Sequence, residues 1–108
     1  MTLNYSYDPV NIVSTNGDNP VHISIDSRRE FLVVSNYGSG SFIVYGLEKG
    51  IPVKPKFFVS HEGSGKHPEK QLSPHPHCSL FSSDSQILFV TDLGTDIIYY
   101  YDVNSGDI

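Results

Sequence analysis

A two-fold internal repeat constrains the fold of this 108-residue chain more than any other feature. Residues 31–50 read FLVVSNYGSGSFIVYGLEKG, and residues 87–106 read ILFVTDLGTDIIYYYDVNSG. The two segments align without a gap at an offset of 56 residues, so that Phe31 corresponds to Ile87 and Gly38 to Gly94. Self-similarity at a period a little above the ~40–50 residues of typical propeller blades indicates a stacked or radial repeat architecture.

The composition of the whole chain favours strands over helices. Val, Ile, Thr, Tyr and Phe account for 36 residues, whereas the good helix formers account for 21 and alanine is absent. Branched and aromatic side chains suit a pleated, half-buried surface. Four antiparallel strands joined by short turns are typical of a propeller blade, so the sequence predicts an all-β fold, a β-propeller segment of about two four-stranded antiparallel blades. The strands are expected at residues 21–25, 31–35, 42–47 and 54–60 in the first copy and at residues 77–81, 87–91 and 98–103 in the second.

The position of the repeat predicts the boundaries of the structural units. We expect an outer strand of a preceding blade at residues 1–17, a first blade at 18–60, an interblade loop at 61–72, and a second blade lacking its outermost strand at 73–108. Two blades are too few to close a propeller and would leave apolar faces open. We therefore expect the chain to be a segment of a longer propeller or to self-associate, with residues 11–14 pairing with an edge near residues 99–103 of another copy.

Up-and-down connectivity predicts which turns share an end of the blades. Successive turns alternate between the two ends, so the Pro-His segments before the first strands lie beside the turns at residues 36–40 and 92–96. The turns at residues 26–30 and 82–86 lie at the opposite end. Side chains that are far apart in the sequence are thereby expected on a single rim.

Charge and cysteine content exclude several classes of function. With 7 Lys and Arg against 12 Asp and Glu, the formal net charge is −5, which argues against nucleic acid or an anionic membrane surface as a partner. No stretch approaches the ~20 apolar residues of a membrane-spanning helix, and residues 1–20 lack the pattern of a secretory signal. The single cysteine, Cys78, excludes an internal disulfide and a zinc site built from several thiolates. We expect a soluble protein of the cytoplasm.

Four sequence motifs resemble those of one known family. They read NPVHISID at residues 19–26, VSNYGSGS at 34–41, KQLSPHPHC at 70–78 and FVTDLGTD at 89–96. In this order and spacing they are similar to the lactonase family of seven-bladed propellers. The resemblance implies a lactone hydrolase without an organic cofactor, which opens the phosphorylated sugar lactone 6-phosphogluconolactone in the pentose phosphate pathway.

Two histidines of the third motif are candidate catalytic residues. His75 and His77 are two residues apart, so on an extended segment they point to the same face. A lactonase needs a base that activates water and an acid for the leaving ring oxygen, and imidazole suits both roles near neutral pH. The alternative is a histidine whose ring ties the Pro turn to a neighbouring blade. A metal site that includes Cys78 is disfavoured, because Cys78 faces the other side of the strand.

The turn at residues 92–96 supplies the third candidate catalytic residue, Asp92. Its carboxylate would orient a rim histidine or the attacking water. Asx side chains also stabilise tight turns by accepting backbone hydrogen bonds, and this alternative stays open for Asp92 and Asp96.

The candidate substrate-binding residues lie on the same rim or in the loop that precedes it. Residues 61–77 hold half of the Lys, Arg and His side chains of an acidic chain, which suits a phosphorylated substrate, although a solvated interblade loop would also be polar. The resemblance implies a cation at Lys70, where the family usually has arginine, and lysine neutralises a phosphate as a point charge. The candidates are Lys70, Asn36, Tyr37 and Asp96.

Two other functions stay open on the sequence alone. A propeller fragment can be non-catalytic or serve as a binding scaffold, because propellers carry many unrelated functions. A relative of the lactonase family, carboxymuconate cyclase, forms a lactone instead of hydrolysing one. The remaining blades or a second copy of the chain are the expected protein partners.

Overall fold

The computed structural model describes residues 8–103, and these residues form seven β-strands arranged in two antiparallel sheets. The first sheet has the order β1-β2-β3-β4 and the second the order β5-β6-β7. The prediction of an all-β fold with two blades is therefore confirmed, and the sheets are called the first and second blade below. No helix in the described range is long and apolar enough to cross a membrane. The strands are β1 (Pro20–Ile25), β2 (Phe31–Asn36), β3 (Ser41–Glu48), β4 (Ile51–Ser60), β5 (Pro76–Phe81), β6 (Ile87–Asp92) and β7 (Ile97–Asp102).

The two blades pack face to face over a shared apolar core. Side chains alternate along each strand, so β2 directs Val33 toward the second blade and its neighbours Leu32 and Val34 to the opposite face. The central strands β2 and β3 are buried almost throughout because both of their faces are covered. The core between the blades consists of Val33, Phe42 and Val44 from the first blade and Leu88, Val90 and Val103 from the second.

Polar contacts continue this seam on both sides of the core. The hydroxyls of Ser35 and Ser79 are buried and lie 2.7 Å apart, which joins β2 to β5. At the rim formed by the turns at residues 26–30 and 82–86, the hydroxyl of Ser27 donates to the carbonyl of Ser83 at 2.8 Å. The seam is therefore fixed by specific hydrogen bonds as well as by apolar packing.

The repeat extends to the backbone conformation of the turns. Arg29 and Ser85, which are 56 residues apart, have φ angles of 58° and 63°. Gly40 and Asp96 are equivalent in the same way, with φ angles of 67° and 60°. The two blades thus use the same left-handed turn positions, although only one of these four residues is a glycine.

Residues 8–19 form no strand within this chain and lie along the outer face of the first blade. Val13 packs against the second cluster of buried residues (Leu32, Val34, Ile43 and Tyr45), and the hydroxyl of Tyr45 donates to the carbonyl of Ser14. A strand needs a neighbour with which to exchange backbone hydrogen bonds, and the preceding blade that we expected to provide it is not part of this chain. The pairing of residues 11–14 with another copy stays a prediction. The expected outer strand and second blade also include residues 1–7 and 104–108, which lie outside the described residues.

The far face of the second blade is apolar and exposed. Leu80, Phe89, Ile98 and Tyr100 are 53, 42, 66 and 72% exposed. Three of these are the repeat equivalents of residues that the first blade buries against the second: Val33 corresponds to Phe89, Phe42 to Ile98 and Val44 to Tyr100. This face therefore has the pattern of a blade-packing surface.

Candidate active site

The Pro-His segment before β5 meets the turns at residues 36–40 and 92–96 at one rim, as the connectivity predicts. The ring of His75 stacks on the ring of Tyr37, with centroids 4.3 Å apart and planes inclined by 13°. The backbone N–H of Leu93 donates to the carbonyl of His75 at 3.0 Å. We call the edge formed by Tyr37, His75, His77 and the turn at residues 92–96 the histidine rim.

His75 is half-buried, and its contacts determine its tautomer. Its Nδ1 lies 2.6 Å from the carbonyl oxygen of Tyr37. A carbonyl only accepts hydrogen bonds, so Nδ1 carries the proton, and in the neutral ring the lone pair is on Nε2. The backbone N–H of His75 donates to Asp92 Oδ1 at 2.8 Å. His75 therefore bridges the rim turns of both blades and has a basic nitrogen that these bonds do not use.

His77 is exposed at the same rim. Its ring contacts the ring of Tyr37 edge-on, with centroids 5.8 Å apart and planes at 85°. It opens onto a shallow groove of about 450 Å³. The groove is lined by His77, Thr91, Asp92, Leu93, Asp96, Ile97 and Ile98. Three of the predicted site residues, His77, Asp92 and Asp96, thus share one groove.

Asp92 is buried beneath this rim and its carboxylate accepts four hydrogen bonds. Oδ1 accepts from the backbone N–H groups of His75, Gly94 and Thr95 at 2.8, 2.9 and 3.1 Å. Oδ2 lies 2.6 Å from His61 Nδ1. These bonds stabilise the turn in the way expected of an Asx residue and hold the backbone of His75. Gly94 is required within this turn, because a Cβ there would collide with the carbonyl of Ser73.

His61 is the residue of this network that the sequence analysis did not single out. It follows β4 directly, and its side chain is 2% exposed. Its Nδ1 donates to Asp92, its Nε2 accepts from the hydroxyl of Tyr101 at 2.7 Å, and its ring stacks on Tyr99 with centroids 3.9 Å apart. One sequence feature indicates that Asp92 has such a partner: the second copy of the repeat has Asp92 where the first has Asn36. A buried carboxylate only accepts hydrogen bonds and therefore needs donors around it, whereas an amide can also donate.

Burial, together with the neighbouring Tyr99 and Asp92, which oppose a further negative charge, raises the pKa of Tyr101 to about 12. The phenol therefore stays protonated across the physiological range. Its hydroxyl, 2.7 Å from His61 Nε2, can therefore donate to this nitrogen when the ring proton is on Nδ1.

The loop that contains Lys70 is fixed by its neighbour Gln71. The amide of Gln71 donates to the carbonyl of Leu93 at 2.8 Å and to Asp96 Oδ1 at 2.6 Å, and its oxygen accepts from the backbone of His67. Lys70 is exposed, and its backbone N–H donates to His67 Nδ1 at 3.0 Å. Asp96 is thus on the histidine rim and tied to the loop that presents Lys70.

Asn36 lies inside the fold, away from the groove. Its side chain is fully buried, and Nδ2 donates to the carbonyl of Thr15 at 2.9 Å and to the hydroxyl of Ser41 at 3.3 Å. Its Oδ1 is buried without a hydrogen-bond partner among the residues described. Residues 15–17 cover the position, and this arrangement separates Asn36 from the other predicted binding residues.

Cys78 and His22 contact each other at the seam between the blades. Sγ of Cys78 lies 3.6 Å from His22 Nε2, and the backbone N–H of Ser79 donates to His22 Nδ1. Among residues 8–103 there is no group of three His, Cys, Asp or Glu side chains that could hold a metal ion. His22 pairs with Ser35 on β2 as Cys78 pairs with Thr91 on β6, so the two residues that meet at the seam hold equivalent positions in the two blades.

Comparison with known proteins identifies relatives that are several times longer. The chain is 34% identical over 91 residues to a 6-phosphogluconolactonase of Bacillus subtilis, an alignment that covers 83% of this chain and 26% of the relative. It is 38% identical over 96 residues to a 6-phosphogluconolactonase of Formosa agariphila, covering 88% of this chain and 27% of the relative. The chain thus spans about a quarter of the length of the curated relatives it matches.

Structure comparison agrees with the sequence comparison. The periplasmic gluconolactonase of Pseudomonas aeruginosa matches with a TM-score of 0.74 at 34% identity, over 82% of this chain and 25% of that protein. A family profile described as a seven-bladed β-propeller lactonase matches residues 3–108. The repeat, the two packed blades and these matches together establish that the chain belongs to the lactonase family of seven-bladed β-propellers.

Proposed function

We propose that a propeller containing these two blades hydrolyses the lactone of a phosphorylated sugar acid, in the manner implied by the relatives named 6-phosphogluconolactonase. The observation that carries the proposal is the histidine rim, where the tautomer of His75 leaves Nε2 with a lone pair and where the rings of His75 and of the exposed His77 both contact the ring of Tyr37. A cytoplasmic location is part of the proposal, although one structural neighbour is named a periplasmic enzyme.

In the proposed reaction His75 Nε2 takes a proton from water as the water oxygen bonds to the lactone carbonyl carbon. The tetrahedral intermediate collapses with cleavage of the bond between this carbon and the ring oxygen. His77, in its protonated form, gives a proton to that oxygen as it leaves as a hydroxyl group. Asp92 acts as a positioning residue, because its carboxylate is committed to the turn, to His61 and to the backbone of His75.

Substitution of the two histidines tests the proposal. Hydrolysis of 6-phosphogluconolactone is measured for the chain itself and for a composite ring in which it replaces the matching blades of the Bacillus subtilis relative. In the composite ring we expect His75→Ala and His77→Ala each to lower kcat about 10²–10⁴-fold, the usual contribution of general acid–base catalysis. His22→Ala is the matched control, since His22 contacts the seam and not the rim. A composite ring whose activity is unaffected by both rim substitutions would exclude the proposed mechanism.

Lys70 is proposed to bind the phosphate of the substrate. It is exposed on the loop that Gln71 attaches to Asp96 and Leu93, and the proposal predicts an effect on phosphorylated substrate alone. We expect Lys70→Ala to raise the KM for 6-phosphogluconolactone about 10-fold, on the scale of a lost charge-assisted hydrogen bond, and to leave the KM for unphosphorylated gluconolactone unchanged. Lys66→Ala is the control. Equal effects on both substrates would show that Lys70 does not recognise the phosphate.

A further inference from the structure

His61 connects three parts of the molecule through separate groups. Its backbone N–H donates to the carbonyl of Gly40, in the rim turn of the first blade, at 2.8 Å. Its Nδ1 donates to Asp92, in the rim turn of the second blade, and its Nε2 accepts from Tyr101 on β7. A residue at the end of β4 is therefore attached to both rim turns and to the last described strand.

The position of His75 depends on how the Asp92 carboxylate is oriented. Oδ1 can accept from the backbone of His75 and from the turn at residues 92–96 only while the carboxylate plane faces them. Among residues 8–103, the hydrogen-bond partner of Oδ2 is His61 Nδ1, at 2.6 Å. Because the His61 ring is held by Tyr101 and stacked on Tyr99, its Nδ1 fixes the rotation of the carboxylate.

We propose that His61 is a positioning residue that holds the rim histidine His75 in its reactive place through Asp92. The inference rests on the proposed function, because it assigns His61 a part in the same reaction. His61 itself is buried and reaches no substrate. The chemical feature it must supply is an N–H donor at the Nδ1 position.

Substitution of His61 by asparagine or by glutamine distinguishes the positioning role from a role in which the side chain only fills the cavity. The amide nitrogen of asparagine is separated from Cβ by the same number of bonds as Nδ1 of histidine, whereas that of glutamine corresponds to Nε2. His61→Asn keeps a donor toward Asp92, and His61→Gln places it toward Tyr101. If His61 only filled the cavity, the larger glutamine would be the better replacement.

The activity test uses the composite ring and compares three variants of matched fold, as judged by circular dichroism. We expect His61→Leu and His61→Gln to lower kcat about 100-fold with little change in KM, the loss that a displacement of about 1 Å produces, and His61→Asn to recover at least about 10-fold of it. If His61→Leu does not fold, the comparison between asparagine and glutamine decides alone. Equal kcat values for these two variants would overturn the inference.

A second measurement does not depend on activity. Hydrogen exchange of the His75 backbone N–H, followed by NMR in the chain, should accelerate at least about 10-fold in His61→Gln and stay near the wild-type rate in His61→Asn, because only asparagine keeps the Asp92 acceptor in place. A composite ring without lactonase activity would overturn the proposed function, and the exchange rates would then decide the positioning role. Unchanged exchange in His61→Gln would exclude it.

Discussion

His61 Nδ1 lies 2.6 Å from Asp92 Oδ2, and the two side chains are 2% and 0% exposed. The equivalent of Asp92 in the first blade is Asn36, whose amide donates to the carbonyl of Thr15. The same position in two similar blades thus holds an acceptor surrounded by donors in one case and a donor facing a carbonyl in the other.

This difference predicts opposite responses to exchanging the two side chains. Asp92→Asn should cost about 1–2 kcal/mol, because the amide oxygen keeps the three backbone bonds and His61 can change its tautomer to accept from the amide nitrogen. Asn36→Asp should cost about 2–4 kcal/mol at pH 7, because it places a buried carboxylate against the Thr15 carbonyl. The free energy of unfolding in urea measures both. A larger loss for Asp92→Asn than for Asn36→Asp would contradict the assigned hydrogen bonds.

The buried serine pair at the seam predicts strong non-additivity. Ser35→Ala or Ser79→Ala alone should cost about 1–2 kcal/mol, because each leaves the other hydroxyl buried without its partner. The double variant should cost less than the sum of the two by about 1 kcal/mol. Urea unfolding of all four proteins gives the coupling energy, and additive single effects would show that the two hydroxyls do not interact.

Tyr101 predicts a loss of stability at alkaline pH. Its folded-state pKa of about 12 is raised above the unfolded value of about 10, so the folded state binds the phenolic proton more tightly. This contribution to the free energy of unfolding is complete below about pH 10 and is lost as the pH rises toward 12. Tyr101→Phe should remove the effect, and Tyr100→Phe, at an exposed position, should retain it. The check is the difference in urea midpoint between each variant and the wild type at pH 9 and pH 11.

The exposed face of the second blade predicts self-association of the chain. Light scattering at rising concentration should show oligomers, and Ile98→Glu or Tyr100→Glu should reduce them by placing charge in the apolar surface. Ile12→Glu is the control, because Ile12 is also exposed but lies outside this face. A stable, cooperatively folded wild-type monomer at all concentrations would disprove the prediction.

The strands and the shared rim could be predicted from the sequence because both depend on local signals. The repeat, the apolar runs that became β2 and β6, and the alternation of turns place His75 beside Tyr37 without further information. The burial of Asn36 could not be predicted in this way, since it depends on the path of residues 15–17 over the first blade.

The change from Asn36 to Asp92 between the repeats indicates that a hydrogen-bond donor is needed, but the sequence does not identify His61 as that donor. His61 lies between the two copies of the repeat and Asp92 lies in the second copy, 31 residues later, so neither periodicity nor spacing relates them. The contact exists because packing of the blades brings the end of β4 over the turn at residues 92–96. Likewise, the strand expected at residues 11–14 required a neighbouring edge that lies outside a single chain.

Gly40 and Asp96 have the same backbone conformation but different surroundings. A Cβ at Gly40 would lie 2.9 Å from the carbonyl oxygen of Pro74, because the segment leading into the second blade crosses directly over it. At the equivalent position of the second blade, Asp96 has a Cβ. This Cβ leaves no room for a backbone segment that passes as close to the turn as Pro74 passes to Gly40. The two blades, although similar in sequence pattern, are therefore not interchangeable: the crossing at Pro74 requires a residue without a Cβ at the position of Gly40, and exchanging the blades would place Asp96 there.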